Sequence, residues 1–262
     1  MSRSPRAAVG PSASPAEGGS GGIAARALAF WGAVQLVGAL FERNATAAVA
    51  IQAALAEWGA GMMGIAWSDR LAPPPTAGSI LGRVGRGALL GAAAAAAVVG
   101  ASLATHGAAR VSTPPAVGAL VLGTLVACLA AVRDELLLRG TVLRLTHGVV
   151  PVWAGLLACG AAAAAARFGT AGAGGLALVV EGLRGAALGG LWVRDRGAWM
   201  ACAANAAWAV ALGPAVHGGA FDVRFATEAD AGAAALVVVG AAAAAALGAS
   251  LWPLPAPKAG LR

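Results

Sequence analysis

With 262 residues, 59% hydrophobic and 11% charged, and a mean hydropathy of +0.78, the chain lies outside the soluble range of about 25% charged and about 45–50% apolar residues. A membrane span takes about 20 mostly apolar residues, so the length suits roughly eight spans with short loops and leaves no room for a second domain. The net charge of +7 is nearly all arginine, Lys258 being the one lysine; the arginines neither cluster on a polar helix nor interleave with aromatics, which argues for positive-inside bias and against a nucleic-acid partner.

Residues 1–22, MSRSPRAAVGPSASPAEGGSGG, are Ser/Pro/Gly/Ala-rich and cannot bury a core, which predicts a disordered N-terminal tail. The apolar run 23–41 exceeds the ~7–15 residues of a signal-peptide core and follows a long, weakly charged leader, so it reads as a retained anchor. Further apolar segments lie near 46–66, 87–105, 115–132, 150–166, 174–193, 197–213 and 232–252. The predicted fold is an all-α, multi-pass membrane bundle of about eight transmembrane helices over residues 23–253, with a short tail at 254–262.

A cytoplasmic N-terminus puts Arg70, Arg83, Arg86, Arg133, Arg139, Arg144, Arg194, Arg196, Lys258 and Arg262 on the inner side. Arg43, Arg110, Arg167 and Arg224 fall outside, with Asp222, Glu228 and Asp230 in the longest outer loop. The asymmetry predicts a cell-membrane protein with both termini in the cytoplasm. Trp67, Trp153, Trp192, Trp199 and Trp252 fall near predicted span ends, as interfacial aromatics do.

Glycine followed by six alanines recurs at 91–97, 160–166 and 240–246 without matching flanks, and Gly185 and Gly189 form a GxxxG face. Both read as surfaces that let membrane helices approach closely. Cys128, Cys159 and Cys202 lie in apolar runs without CxxC spacing and read as small buried hydrophobes.

An ionisable group inside a span costs roughly 2.5–3.5 kcal/mol on insertion scales, so each needs a reason. Glu57 has no local partner and reads as an interhelical contact or a cavity residue. Glu181 and Arg184, three apart, can pair on one helix face and read as structural. The densest group is RDELLLRGTVLRL at 133–145. Glu135 and Arg139 are four apart with the acid first, the favourable helical order, so Arg139 can hold Glu135. Asp134, rotated about 100° on an ideal helix, is left freer. An anchored carboxylate beside a freer one is a way to prepare a general base; the same pattern also suits a plain charge cluster at the cytoplasmic boundary.

The stretch R-D-E-L-L-L-R-G followed by T-V-L-R-L resembles the first motif, E-E-x-x-x-R, of the CPBP family, the membrane proteases that include type II CAAX prenyl proteases and bacteriocin-processing or Abi proteins. GLRGAALGGLWVRDRGAWMACAANAAWAV resembles that family's C-terminal core, where a Gly-rich helix leads through an aromatic-x-Arg turn and a tryptophan to an H-x-x-x-N motif. The likeness covers residues 115–212. It implies an intramembrane endopeptidase of the CAAX-processing type, hydrolysing a peptide bond with metal assistance. In such a site the first glutamate activates a water, and the Glu–Arg pair supports it. Histidines of F-x-x-x-H and H-x-x-x-N bind a divalent metal such as zinc, and an asparagine holds the oxyanion.

Carried onto this chain, the catalytic residues are Asp134, Glu135 and Arg139, with Asp134 one methylene shorter than the family's glutamate. Ala163 and Arg167 stand at the F-x-x-x-H positions, and Asn205 and Ala209 at H-x-x-x-N, aligned through Trp199 and Trp208. Both histidines are absent, and His106, His147 and His217 lie elsewhere without zinc-motif spacing. A guanidinium about 4 Å from a divalent ion repels it by roughly 8 kcal/mol at an effective dielectric of 20. No metal cofactor is therefore expected, and Arg167 is expected to fill the metal position and neutralise Asp134 or Glu135. That requires the 133–147 helix to reach the depth of Arg167, at the far end of the next predicted span.

Three functions stand as expectations, each with the lipid bilayer as a partner. One is a diverged protease acting on a membrane protein or peptide, with Asp134 as base. Another is a catalytically silent relative that binds or scaffolds membrane partners. The third is a solute transporter using Glu57 and Glu181, against which stands the lack of paired Gly/Pro-broken spans.

Overall fold

In hydrocarbon every backbone N–H and C=O must be satisfied internally, which a helix does within one segment; the long Ala/Leu/Val runs take this state. A computed structural model describes residues 20–68, 76–110, 117–168, 174–216 and 223–251. Residues 1–19 of the N-terminal tail, the tail at 254–262, and Arg70, His217, Asp222, Trp252, Lys258 and Arg262 lie outside the described residues.

Helices α1 (Ser20–Leu40) and α2 (Ala45–Met62) form an antiparallel pair. Asn44 caps α2 by accepting from the Ala47 N–H at 3.1 Å, and Arg26 Nη1 reaches across to the Met62 carbonyl at 3.0 Å. Thr76 caps α3 (Ala77–Ala104) in the same way. Helix α4 (Val117–Asp134) runs through a π-helical stretch, Glu135–Gly140, into α5 (Thr141–Thr146), giving one apolar helix of 30 residues. After α6 (Val152–Arg167) and α7 (Gly175–Asp195), α8 (Trp199–Val210) ends in a second π-helical stretch, Ala211–Ala215, around Pro214. Proline lacks the N–H that an α-helical ladder requires there. Helix α9 spans Glu228–Leu251.

Among the described residues five helices are long and apolar enough to cross a membrane: α1, α3, α4 with its continuation, α7 and α9. This makes a lipid bilayer the environment the fold fits. Helix α6, at 16 residues, is apolar but shorter. One feature outside the all-helical expectation is a two-stranded antiparallel ribbon, β1 (Ala108–Arg110) with β2 (Val223–Phe225), pairing Ala108 with Phe225 and Arg110 with Val223.

Helix ends collect at two faces of the bundle. At the first, Trp67 stacks on Trp199 with ring centroids 4.5 Å apart, and the Ala198 N–H donates to the Trp67 carbonyl at 3.0 Å. At the second lies the β-ribbon, which brings the ends of α3 and α8 beside the start of α9. Glycine sets how closely helices meet. A Cβ on Gly185 would lie 2.7 Å from the Cβ of Ala163, and one on Gly160 would lie 2.6 Å from the Gly182 carbonyl oxygen. One on Gly91 would collide with the Ala204 carbonyl. The GxxxG face and two of the three Gly-Ala repeats therefore sit at tight seams, α6–α7 and α3–α8; at Gly240 the nearest atom is 3.9 Å away.

Several expectations need correcting. Helix α3 begins ten residues before the predicted 87, so Arg83 and Arg86 lie inside it. Segments 115–132 and 133–147 are one helix rather than a span followed by a separate piece. Cys128 is exposed, whereas Cys159 and Cys202 are buried. Trp67, just after α2, and Trp192, in the last turn of α7, do lie near helix ends, but they also pack against the core cluster of Val34, Ala56, Ala60, Met63, Ile65, Leu136, Leu137 and Ala198. Glu57 is exposed and accepts from Trp67 Nε1 at 2.8 Å.

Candidate polar site

The site forms because α4 does not stop at its charges. A π-helical stretch spans one more residue per backbone hydrogen bond than an α-helix and re-aims the side chains that follow it. Gly140 closes it, and a Cβ there would come within 2.9 Å of Ile65 and of the Trp192 ring. Glu135 and Arg139 lie inside this stretch, 0% and 1% exposed. Arg139 Nη1 donates to Glu135 Oε1 at 2.7 Å. Two atoms of this pair, Glu135 Oε2 and Arg139 Nε, are buried without a hydrogen-bond partner among the described residues.

Asp134 does escape Arg139 and is the more exposed of the two carboxylates, but it is not unpaired. Arg133 Nε donates to its Oδ1 at 2.7 Å, and Arg133 Nη1 donates to Gln52 Oε1 at 2.7 Å. Gln52 in turn gives its Nε2 to the Val34 carbonyl at 2.9 Å, tying α4 to α2 and α1. On α7, Arg184 donates to Glu181 Oε2 through Nη2 at 2.6 Å and Nε at 3.1 Å. Its Nη1 reaches Asn205 Oδ1 on α8 at 3.1 Å.

These groups meet at a cavity of about 260 Å³, lined among others by Gln52, Arg133, Asp134, Arg139, Arg167, Glu181 and Arg184. Asp134 and Arg167 share it because the helix carrying Asp134 continues past it by three turns, so the acid lies well inside the bundle. Ala163 also lines the cavity and is buried. Arg167 stands exposed at the end of α6; the carboxylates of Asp134 and Glu135 take their short ion pairs from Arg133 and Arg139. Asn205, buried at 3% exposure, presents its amide oxygen to Arg184. His106 and His147 are exposed and are not among the cavity's lining residues.

A divalent cation would need several ligand groups free to reach it. Among the described residues no group of three His, Cys, Asp or Glu side chains is placed to hold one. Each acid of the cluster already has an arginine within 2.7 Å, and at an effective dielectric of 20 each such cation at about 4 Å would oppose the metal by roughly 8 kcal/mol. What the arrangement can do is hold fixed charge and hydrogen-bonding groups around a small polar space. Two members were missed in the sequence, Gln52 and the Arg184–Asn205 contact. A glutamine inside the apolar run AVAIQAALA was the signal for the first; nothing local marks the second, whose partners are 21 residues apart.

The fold and site define a class: an apolar helical bundle with an arginine–carboxylate network at its centre. Neither family models, curated proteins nor solved structures yield a match to this chain.

Proposed function

We propose that this chain is a CPBP-like integral membrane protein in which the hydrolytic site has become a charge-balanced polar core, so that it binds membrane partners rather than cutting peptides. The observation that carries this reading is that Asp134, Glu135 and Glu181 each hold an arginine at 2.6–2.7 Å while the motif histidine positions are Arg167 and Asn205. A guanidinium bonded to a carboxylate oxygen occupies a position from which a water would be activated. The bundle is read as eight spans with the first face, carrying Arg26, Arg83, Arg86, Arg144, Arg194 and Arg196, in the cytoplasm.

A second reading, a diverged protease with Asp134 as base, is favoured by one observation: the Asp134 side chain is 25% exposed and lines the cavity. A peptidase assay on the purified protein with and without zinc, alongside Arg167→His/Asn205→His, separates the two. Hydrolysis only in the double variant supports the silent reading. Hydrolysis by wild type that is lost in Asp134→Ala overturns it.

A further inference from the structure

A second, larger cavity of about 1020 Å³ opens on the side of the bundle between α3, α7, α8 and α9. Its walls are apolar and small: Ala242, Ala245 and Ala249 of α9 leave space that longer side chains would fill, while Gly190 of α7 sits tightly against Ala246. Leu90, Val152 and Val193, also lining it, are exposed, so the groove faces whatever surrounds the bundle. It runs along α7 from Arg184, at the edge of the polar site, to Arg194 and Arg196 at the first face. Ten residues of helix make that length about 15 Å.

The two arginines at the mouth are brought together by the backbone. Residues i and i+2 of a helix point to nearly opposite sides, but α7 ends at Asp195 and Arg196 takes the left-handed conformation at φ 52° and ψ 43°. This reversal lets Arg196 line the same groove as Arg194. Asp195, between them, is turned away: it pairs with Arg83 Nε at 3.7 Å and accepts from the Met200 N–H at 3.4 Å. Among the described residues neither Arg194 nor Arg196 has a carboxylate partner.

We infer that this groove is a binding site for an anionic phospholipid, with one acyl chain lying along α7 and α9 and the phosphate held by Arg194 and Arg196. Guanidinium matches a phosphate by paired N–H donors, and basic pockets between spans suit anionic headgroups. The apolar length and the uncompensated double charge at one end together demand an amphiphile of this kind.

Trp208 lines the groove and reports the acyl chain. The full chain is reconstituted in phosphatidylcholine nanodiscs with increasing phosphatidylglycerol carrying brominated acyl chains, and quenching of Trp208 is read as the difference from Trp208→Phe. Half-quenching is expected at a mole fraction about tenfold lower than for brominated phosphatidylcholine. Arg194→Gln/Arg196→Gln should remove that preference, while Arg86→Gln/Arg144→Gln, which removes the same charge from the same face, should keep it. Excess inorganic phosphate should not compete, and Ala245→Phe should abolish the Trp208 signal. Equal response to both lipids, equal loss in both double variants, or competition by free phosphate would overturn the site. So would light scattering showing a dimer that Ala245→Phe dissociates, since a second copy would then fill the groove.

Discussion

The polar cluster around Glu135 and the apolar groove beside α9 share Arg184 as a common wall, yet they are held in shape by opposite means. In the cluster, charged side chains pair within the α4 helix with its π-helical continuation and within α7, and Gln52 of α2 and Asn205 of α8 add neutral contacts across helices. In the groove, shape comes from backbones brought close by glycine and alanine, with few side-chain commitments. The first region should be intolerant of losing a single group. The second should tolerate changes along its open wall and resist them only where backbones touch.

The largest expected effect tests the cluster. Glu135→Ala leaves Arg139 buried without its carboxylate, at a cost of about 3–5 kcal/mol, measured by unfolding in detergent. Replacing both partners, Glu135→Leu with Arg139→Met, should restore stability to within about 1 kcal/mol; a double variant as unstable as the single would mean the pair is more than mutual compensation. Next comes the seam where the groove wall meets α8. Gly91→Val forces a side chain into the Ala204 carbonyl and should cost about 1–3 kcal/mol. By contrast Gly100, on the same helix with nothing within 4 Å, should accept alanine with a gain of about 0.5–1 kcal/mol. A loss there would show an unseen contact. The smallest effect is on the open groove wall, where Ala245 is exposed. Ala245→Phe should shift stability by no more than about 0.5 kcal/mol while removing the lipid signal, and a large destabilisation would mean the wall is packed after all.

Much of the fold was legible from local pattern. Apolar runs of spanning length marked the helices, and the four-residue spacing of Glu135 and Arg139 led to their ion pair. The pairing of Glu181 with Arg184 was likewise visible at three residues. Boundaries were harder where charge interrupts an apolar run: Arg133 to Arg139 looked like the end of a span, yet the helix continues, its charges pairing within the helix and Arg133 taking a further contact from Gln52 of α2. Asp134, though freer than Glu135, also has a partner that its spacing to Arg139 did not show. Its neighbour Arg133 turns back to it while Gln52, on another helix, accepts from the far side of the guanidinium.

Hydropathy over twenty-residue windows and i to i+4 chemistry reach no further than one helix, and within that reach the amino-acid order determined the helical state, the apolar setting and the Glu135–Arg139 and Glu181–Arg184 pairs. Tertiary structure decided the rest: that α4 passes through a π-helical stretch instead of stopping, that Asp134, Arg167 and Arg184 share one cavity, and that Arg194 and Arg196 face one groove. Those facts depend on where separate helices meet and how a chain reverses at a helix end; the ion pairs are local, and what other helices add to them are the neutral contacts of Gln52 and Asn205.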